Sequence, residues 1–326
     1  KPDAALRIAT ALSNKVEKHI VGKVPYYELM YKGKRILVGC AVGHLYTLAE
    51  KEKNGLTYPV FDIEWKIAAD VRKNAAFTRR YLEVLKRLSK EASEFTVACD
   101  YDTEGSVIGF NCIRFICNKK DAKRMKFSTL TKDELIESYE NAYKHLDFPL
   151  INAGEARHFM DYFWGISLSR ALMSSIKKAG SFKILSSGRV QGPTLKIIVD
   201  KELEIKNFKA EPYWKIELEG KIDNKKITAY HKKGNIFDKK IASLIIEKTK
   251  GKKAIISKVE KIIFKQEAPF PFDLTALQIE AYRCFGISPK ETLAIAQNLY
   301  TSGLISYPRT SSQKLPESIY YKIILY

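Results

Sequence analysis

Cysteine is scarce in this chain: five residues in 326, at positions 40, 99, 112, 117 and 284. An odd handful spread over so long a sequence supplies no disulfide framework, and a reducing cytoplasm is the expected compartment. Long apolar runs are missing too. The longest, such as 36–42 and 95–99, fall far short of the roughly 20 residues that cross a bilayer, so no membrane helix is expected. The opening Lys1-Pro2-Asp3 has neither an initiating methionine nor the apolar stretch of a signal peptide, and reads as the inside of a longer chain. No Gly-rich phosphate loop ending in Lys, no internal repeat and no low-complexity tract is present. Negative charge is in short supply: 37 Asp+Glu face 56 Lys+Arg, a formal charge of +19. That excess favours a polyanionic partner, nucleic acid first, although the Lys-rich surface of a thermophilic protein gives the same sum. With 45% hydrophobic residues the chain has the material for a core, and its length suits two or three domains.

Along the first 145 or so residues, helical and strand patterns alternate. Ala5, Ile8, Ala9 and Leu12 recur at helical spacing, 35–42 reads as a buried strand, 71–88 as helix, 94–99 as a short strand, and 107–116 as helix. Strand, turn and helix in repetition predict a parallel, doubly wound sheet that places ligands at the carboxyl ends of its strands. After Pro149 come helical patterns at 152–178 and 193–205, joined by small residues at 186–188. The character then changes. Period-two alternation at 214–219, with strand-like runs at 225–231 and 253–264, predicts a β-rich segment holding one helix near 240–249. Pro269 and Pro271 mark another boundary, followed by helices at 273–285 and 288–302. The expected architecture is α/β followed by α+β, divided at 1–147, 148–208, 209–267 and 268–326.

Three motifs carry chemistry. In Cys99-Asp100-Tyr101-Asp102-Thr103-Glu104-Gly105, carboxylates alternate where a strand feeds a helix. Three hard oxygen donors without His or Cys in the same turn suit Mg²⁺; an exposed turn capping the next helix would carry the same residues. In Gly303-Leu304-Ile305-Ser306-Tyr307-Pro308-Arg309-Thr310, a tyrosine has an arginine two residues on. The phenol could attack a phosphodiester while the guanidinium holds phosphate oxygens, or the tyrosine could be a packed turn residue. Ser186-Ser187-Gly188-Arg189-Val190-Gln191 offers close backbone approach and donors for phosphate, or an ordinary helix start.

These motifs, in this order and at these separations, resemble those of the type IA DNA topoisomerases, especially the archaeal and topoisomerase III-like branch, over essentially the whole chain. Lys1-Pro2-Asp3 resembles the end of the first strand of that family's Toprim domain, and Gly43-His44-Leu45 a second signature there. The resemblance implies a toroidal enzyme that relaxes negatively supercoiled DNA without ATP, through a 5′-phosphotyrosyl intermediate. Tyr307 would be the nucleophile, with Arg309, Lys1 and Gln297 as catalytic partners. Asp100, Asp102 and Glu104 would hold Mg²⁺. Single-stranded DNA would meet His44, Arg157, Asp161, Ser186, Ser187, Arg189, Gln191 and Thr310. At i,i+4 spacing, Arg157 and Asp161 would equally make a surface ion pair. A monomer is expected.

The sequence also departs from the family pattern. Thr103 and Ser106 stand where Arg and Glu are frequent, and Thr301 where Glu is frequent. The Glu expected before Lys1, and a His expected beyond Tyr326, fall outside the chain. Two other classes share part of the pattern: a Toprim nuclease or primase-like enzyme, which needs the acids but not Tyr307, and a non-catalytic single-strand-binding fragment, which needs only the charge.

Overall fold

The computed structural model describes residues 2–53 and 55–315. Helix α1 (Pro2–Leu12) leads into a three-stranded antiparallel meander of β1 (Val16–Val21), β2 (Val24–Tyr31) and β3 (Lys34–Val38). Its register runs Val16↔Leu29 to Val21↔Val24, then Tyr27↔Val38 to Tyr31↔Lys34. Both connections are two-residue turns with positive φ at each position: Gly22 (57°) and Lys23 (72°), Lys32 (46°) and Gly33 (77°). Such turns match the right-handed twist of the strands they join. A second antiparallel pair, β4 (Tyr46–Glu50) with β5 (Ile63–Ile67), leads into α2 (Ala68–Val71) and α3 (Thr78–Glu91). Tyr81, Leu82, Leu85 and Leu88 of α3 share a face and pack on the surrounding clusters.

Parallel pairing among the described residues is confined to a short ladder, β6 (Thr96–Val97) with β7 (Lys123–Arg124). Between these strands lies α4 (Thr103–Phe115), and after them come α5 (Lys132–Glu140) and the 31-residue α6 (Phe148–Lys178). Of segment 35–42, expected as a strand of a parallel sheet, residues 35–38 belong instead to the last strand of the meander, and 39–42 form no strand. The α4–α6 crossing is close because of Gly154, where a Cβ would meet Val107 Cγ2 at 2.6 Å and the Thr103 carbonyl oxygen at 2.8 Å.

Two compact units emerge, residues 1–189 with 269–326, and residues 190–268. In the first, α9 (Leu274–Phe285) and α10 (Pro289–Thr301) follow the expected helical pattern. Each has its cap: Asp273 accepts from the Ala276 N–H at 2.7 Å, and Ser288 from the Glu291 N–H at 3.3 Å. Tyr300, 1% exposed, belongs to the main core with Ala5, Ile8, Ala9, Leu12, Met125 and Leu130, and Ile305 and Tyr307 pack against that core.

The second unit holds α7 (Gln191–Asn207), the hairpin β8 (Glu217–Ile222)–β9 (Lys225–Tyr230) and α8 (Lys239–Thr249). Residues 253–264, expected as a strand, form none. A strand needs a neighbour for its N–H and C=O groups. No neighbouring strand is supplied among the described residues, and Ile255, Val259 and Ile263 are more than 80% exposed. No helix among the described residues is long and apolar enough to cross a membrane.

Candidate active site

The acidic turn connects β6 to α4. Asp102 caps α4, accepting from the Gly105 N–H at 2.6 Å through Oδ1. Gly105 has no substitute here, since a Cβ would come within 2.3 Å of the Asp100 carbonyl oxygen. The turn's own carbonyls are held by Arg124 of β7, only 1% exposed. Its Nη1 donates to the Cys99 carbonyl at 2.7 Å and its Nη2 to the Asp100 carbonyl at 3.0 Å. A longer 3.4 Å contact reaches the Val97 carbonyl. Burial opposes the guanidinium charge.

Two tyrosines from the other end of the sequence meet this turn. After α10, Gly303 adopts φ 77°, a conformation that favours glycine, and turns the chain back on itself. The Tyr307 N–H then donates to the Ser128 carbonyl at 2.8 Å. Tyr307 Oη donates to Asp102 Oδ2 at 2.6 Å, and Tyr300 Oη to Asp100 Oδ1 at 3.2 Å. The two rings stand edge to face, 5.2 Å apart. Burial pushes the Tyr307 phenol well above its ordinary pKa, the hydrogen bond to Asp102 adds to that, and Arg309 opposes it as the smallest influence. In this arrangement Tyr307 is a neutral phenol whose proton is already shared with a carboxylate.

Glu104, in the first turn of α4, meets two imidazoles. His158 Nε2 lies 3.1 Å and His44 Nε2 2.8 Å from its Oε2, and the two imidazoles hold its carboxyl well below the usual carboxylate range. Arg157 Nη1 approaches the other oxygen at 3.6 Å. The polar chain continues along α6. Arg157 Nε is 3.8 Å from Asp161, and Arg189 grips the same carboxylate with both ends of its fork, at 2.7 and 3.2 Å.

The structure therefore brings Tyr307, Asp100 and Asp102 together, and in a contiguous network His44, Glu104, Arg157, Asp161 and Arg189. Gln297 lies on α10, one turn before Tyr300, with its Nε2 buried and unpartnered. Arg309 is exposed. The Thr310 hydroxyl accepts from the Ser312 N–H at 3.0 Å, and its carbonyl from the Leu274 N–H at 3.1 Å. Ser186 is exposed, whereas the Ser187 N–H donates to Ser169 Oγ at 2.9 Å. Gln191 begins α7 in the other unit. Lys1 lies outside the described residues.

Sequence reasoning missed His158, Arg124 and Tyr300. None stands inside a motif. The available signal was adjacency, His158 directly following Arg157 and Tyr300 lying seven residues before Tyr307.

For metal, Asp100, Asp102 and Glu104 carry hard oxygen donors of the kind that Mg²⁺ takes together with water. The three-ligand cluster found among the described residues is a different one, His44, Glu104 and His158.

Comparison with known proteins agrees with this layout. The Toprim domain matches residues 1–130, and a DNA topoisomerase family model matches residues 145–326. A Toprim fold followed by a tyrosine-bearing topoisomerase region is the class defined here. "DNA topoisomerase 1" of Pyrococcus horikoshii is 47% identical over 330 residues, covering 100% of this chain and 48% of its own length. "DNA topoisomerase 1" of Methanocaldococcus jannaschii is 49% identical, covering 98% of this chain and 42% of its own length. The full-length topoisomerase I of Thermotoga maritima superposes with a TM-score of 0.69 at 26% identity, covering 98% of this chain and 50% of that one. The chain belongs to the type IA DNA topoisomerase family. It spans about half the length of the curated relatives it matches.

Proposed function

We propose that this chain carries the cleavage centre of an ATP-independent DNA topoisomerase that opens one strand through a 5′-phosphotyrosyl intermediate, passes a strand and reseals, relaxing negative supercoils. One observation carries the reading. Tyr307 Oη and Asp102 Oδ2, from motifs 205 residues apart, lie within hydrogen-bond distance at 2.6 Å. A Toprim nuclease has no use for that tyrosine.

In the proposed reaction the phenol oxygen attacks a backbone phosphorus and its proton passes to Asp102 Oδ2. The bond from phosphorus to the 3′ oxygen breaks, that oxygen takes up a proton, and the 5′ phosphate remains on Tyr307. Because the phosphotyrosine conserves the bond, the 3′-hydroxyl reverses the step without a nucleotide. A neutral, buried phenol is a poor nucleophile, so attack waits for cations. Arg309 and Lys1 are the side chains assigned to that role, and the buried, unpartnered Gln297 Nε2 is a donor suited to a phosphate oxygen. Asp100, Asp102 and Glu104 would hold Mg²⁺, which supplies positive charge against the phosphate. Arg157, Arg189 and Ser187 would steady a single strand along α6, while Ser186, Gln191, Thr310, His44 and Asp161 complete the proposed contacts.

The test is a denaturing gel of the polypeptide at its full natural length after incubation with a labelled single-stranded oligonucleotide. The wild type should be trapped as an adduct attached through the DNA 5′ phosphate, and Tyr307→Phe should give none while binding the oligonucleotide normally. An adduct that persists in Tyr307→Phe, or one attached through a 3′ phosphate, overturns the reading.

A further inference from the structure

Tyr300 has no part in the proposed reaction, yet its hydroxyl reaches the acidic turn. It lies on α10, 1% exposed, with its ring in the main core. A buried hydroxyl takes an acceptor. Here the acceptor is Asp100 Oδ1, 3.2 Å away and 200 residues distant in sequence. The Tyr300 carbonyl also accepts from the Gly303 N–H at 2.9 Å, so the turn that leads back to Tyr307 starts on this residue. Solvent access separates the two tyrosines. Tyr307 is partly buried, whereas Tyr300 is enclosed and meets no phosphate without leaving the core.

Asp100 is held at its backbone and at its side chain. Arg124 Nη2 donates to its carbonyl at 3.0 Å, and the Asp102 N–H donates to the same oxygen at 3.0 Å. Those bonds fix the backbone but not the side-chain torsions; the Tyr300 hydroxyl acts on the carboxylate itself. Asp102 is held in a parallel way, by the Gly105 N–H on Oδ1 and by Tyr307 Oη on Oδ2. The two tyrosines then differ in what the reaction asks of them. Tyr307 gives up its proton and its bond to Asp102 on attack, whereas Tyr300, anchored in the core, keeps its grip on Asp100 throughout. Orientation matters for the ion. Mg²⁺ demands near-ideal octahedral geometry at about 2.0–2.1 Å, while Ca²⁺ accepts irregular sites at about 2.3–2.6 Å. A carboxylate free to swing therefore harms Mg²⁺ binding more than Ca²⁺ binding.

We propose that Tyr300 is a positioning residue, whose hydroxyl orients the Asp100 carboxylate for the Mg²⁺ of the acidic turn and favours Mg²⁺ over Ca²⁺ there. The proposal rests on the metal assignment made under the proposed function. Loss of an outer hydrogen-bond partner of this kind typically costs about 10–100-fold in metal affinity.

The experiment uses Mn²⁺, which takes the same octahedral oxygen set, as a probe of the polypeptide at its full natural length. Electron paramagnetic resonance reads free Mn²⁺, and competition gives the affinities for Mg²⁺ and Ca²⁺. Tyr300→Phe keeps the ring and its edge-to-face packing on Tyr307 while deleting the hydroxyl. It should weaken Mn²⁺ and Mg²⁺ binding by about 10–100-fold and Ca²⁺ binding by less, with circular dichroism unchanged. Plasmid relaxation should need correspondingly more Mg²⁺ yet reach the wild-type maximum. Asp100→Asn should weaken Mn²⁺ binding by itself, and adding Tyr300→Phe to it should bring little further loss. Unchanged affinity in Tyr300→Phe, equal losses for Mg²⁺ and Ca²⁺, or a full further loss in the double variant overturns the role of Tyr300 alone. Undiminished Mn²⁺ binding in Asp100→Asn overturns the metal assignment first and this proposal with it. Should Tyr300→Phe fail to fold, a single 3-fluorotyrosine at position 300 keeps the hydroxyl and decides. Its ¹⁹F signal should move as Mg²⁺ binds and stay still in Asp100→Asn, and a signal indifferent to Mg²⁺ refutes the proposal.

Discussion

Replacing Arg124 by methionine keeps the length and apolar bulk of a fully buried side chain while deleting every donor it aims at the acidic turn. Two of its bonds are short, 2.7 Å to the Cys99 carbonyl and 3.0 Å to the Asp100 carbonyl, and a third at 3.4 Å is weak. A hydrogen bond from a charged donor contributes about 1.5–3 kcal/mol, so the two short ones together contribute about 3–6 kcal/mol. Against that stands the Nε, buried without a partner in a guanidinium whose charge burial opposes; methionine relieves that penalty, about 1–2 kcal/mol. The net expected loss is about 2–4 kcal/mol, read as a lower urea midpoint with an unchanged slope. Arg124→Lys, a single ammonium in place of a planar fork, should lose about half as much. A second effect should go beyond stability: at temperatures where the variant is folded, adduct formation should fall, because the backbone that aims Asp100 and Asp102 has lost its clamp. A loss below about 1 kcal/mol with normal adduct formation would refute the reasoning.

Two further outcomes follow from the geometry. Glu104 has its pKa lowered in the folded state, so the stability it contributes is present above its unfolded value of about 4.3 and is lost as pH falls toward the folded one. Urea midpoints at pH 7 and pH 3 should therefore differ less for Glu104→Gln than for the wild type; equal differences would contradict the pairing with His44 and His158. Gly154→Ala places a methyl 2.8 Å from the Thr103 carbonyl oxygen, a backbone atom with little room to yield, and should cost about 1–3 kcal/mol with a matching fall in melting temperature. An unchanged melting temperature would show that the α4–α6 crossing relaxes freely.

The α/β class was legible in the sequence, because helix and strand periods alternate plainly over the first half. The meander was not. Its turns are Gly22-Lys23 and Lys32-Gly33, and neither carries the Asn-Gly or Asp-Gly pair that normally marks a two-residue hairpin, so 35–42 read as an isolated buried strand. Segment 253–264 failed in the opposite sense: its composition favours a strand, but pairing needs a partner that composition does not record. At the site, the acidic turn and the Tyr307 motif stood out because their residues are consecutive. His158 and Tyr300 did not, since their meaning arises from contacts 54 and 200 residues away. Arg124 was hidden by its own chemistry. A buried arginine bonded to carbonyls leaves no charge pattern to read.

Asp161 sits between two guanidiniums, close to Arg189 and more distant from Arg157. In terms of ion release, that changes what the two arginines would deliver to the single strand of the proposed function. A polyanion's affinity depends on salt through the net charge brought to its phosphates, with a slope of about 0.7 per charge for single strands. Two arginines sharing one aspartate bring a net charge of one even before Glu104, 3.6 Å from Arg157, is counted, so this pair would contribute at most about 0.7 to the slope and not about 1.4. A phosphate settling here exchanges places with a carboxylate, one anion for another. Under the proposed function, such a contact would be strong in geometry yet modest in salt dependence, which would suit a strand that has to be held for cleavage and then let go.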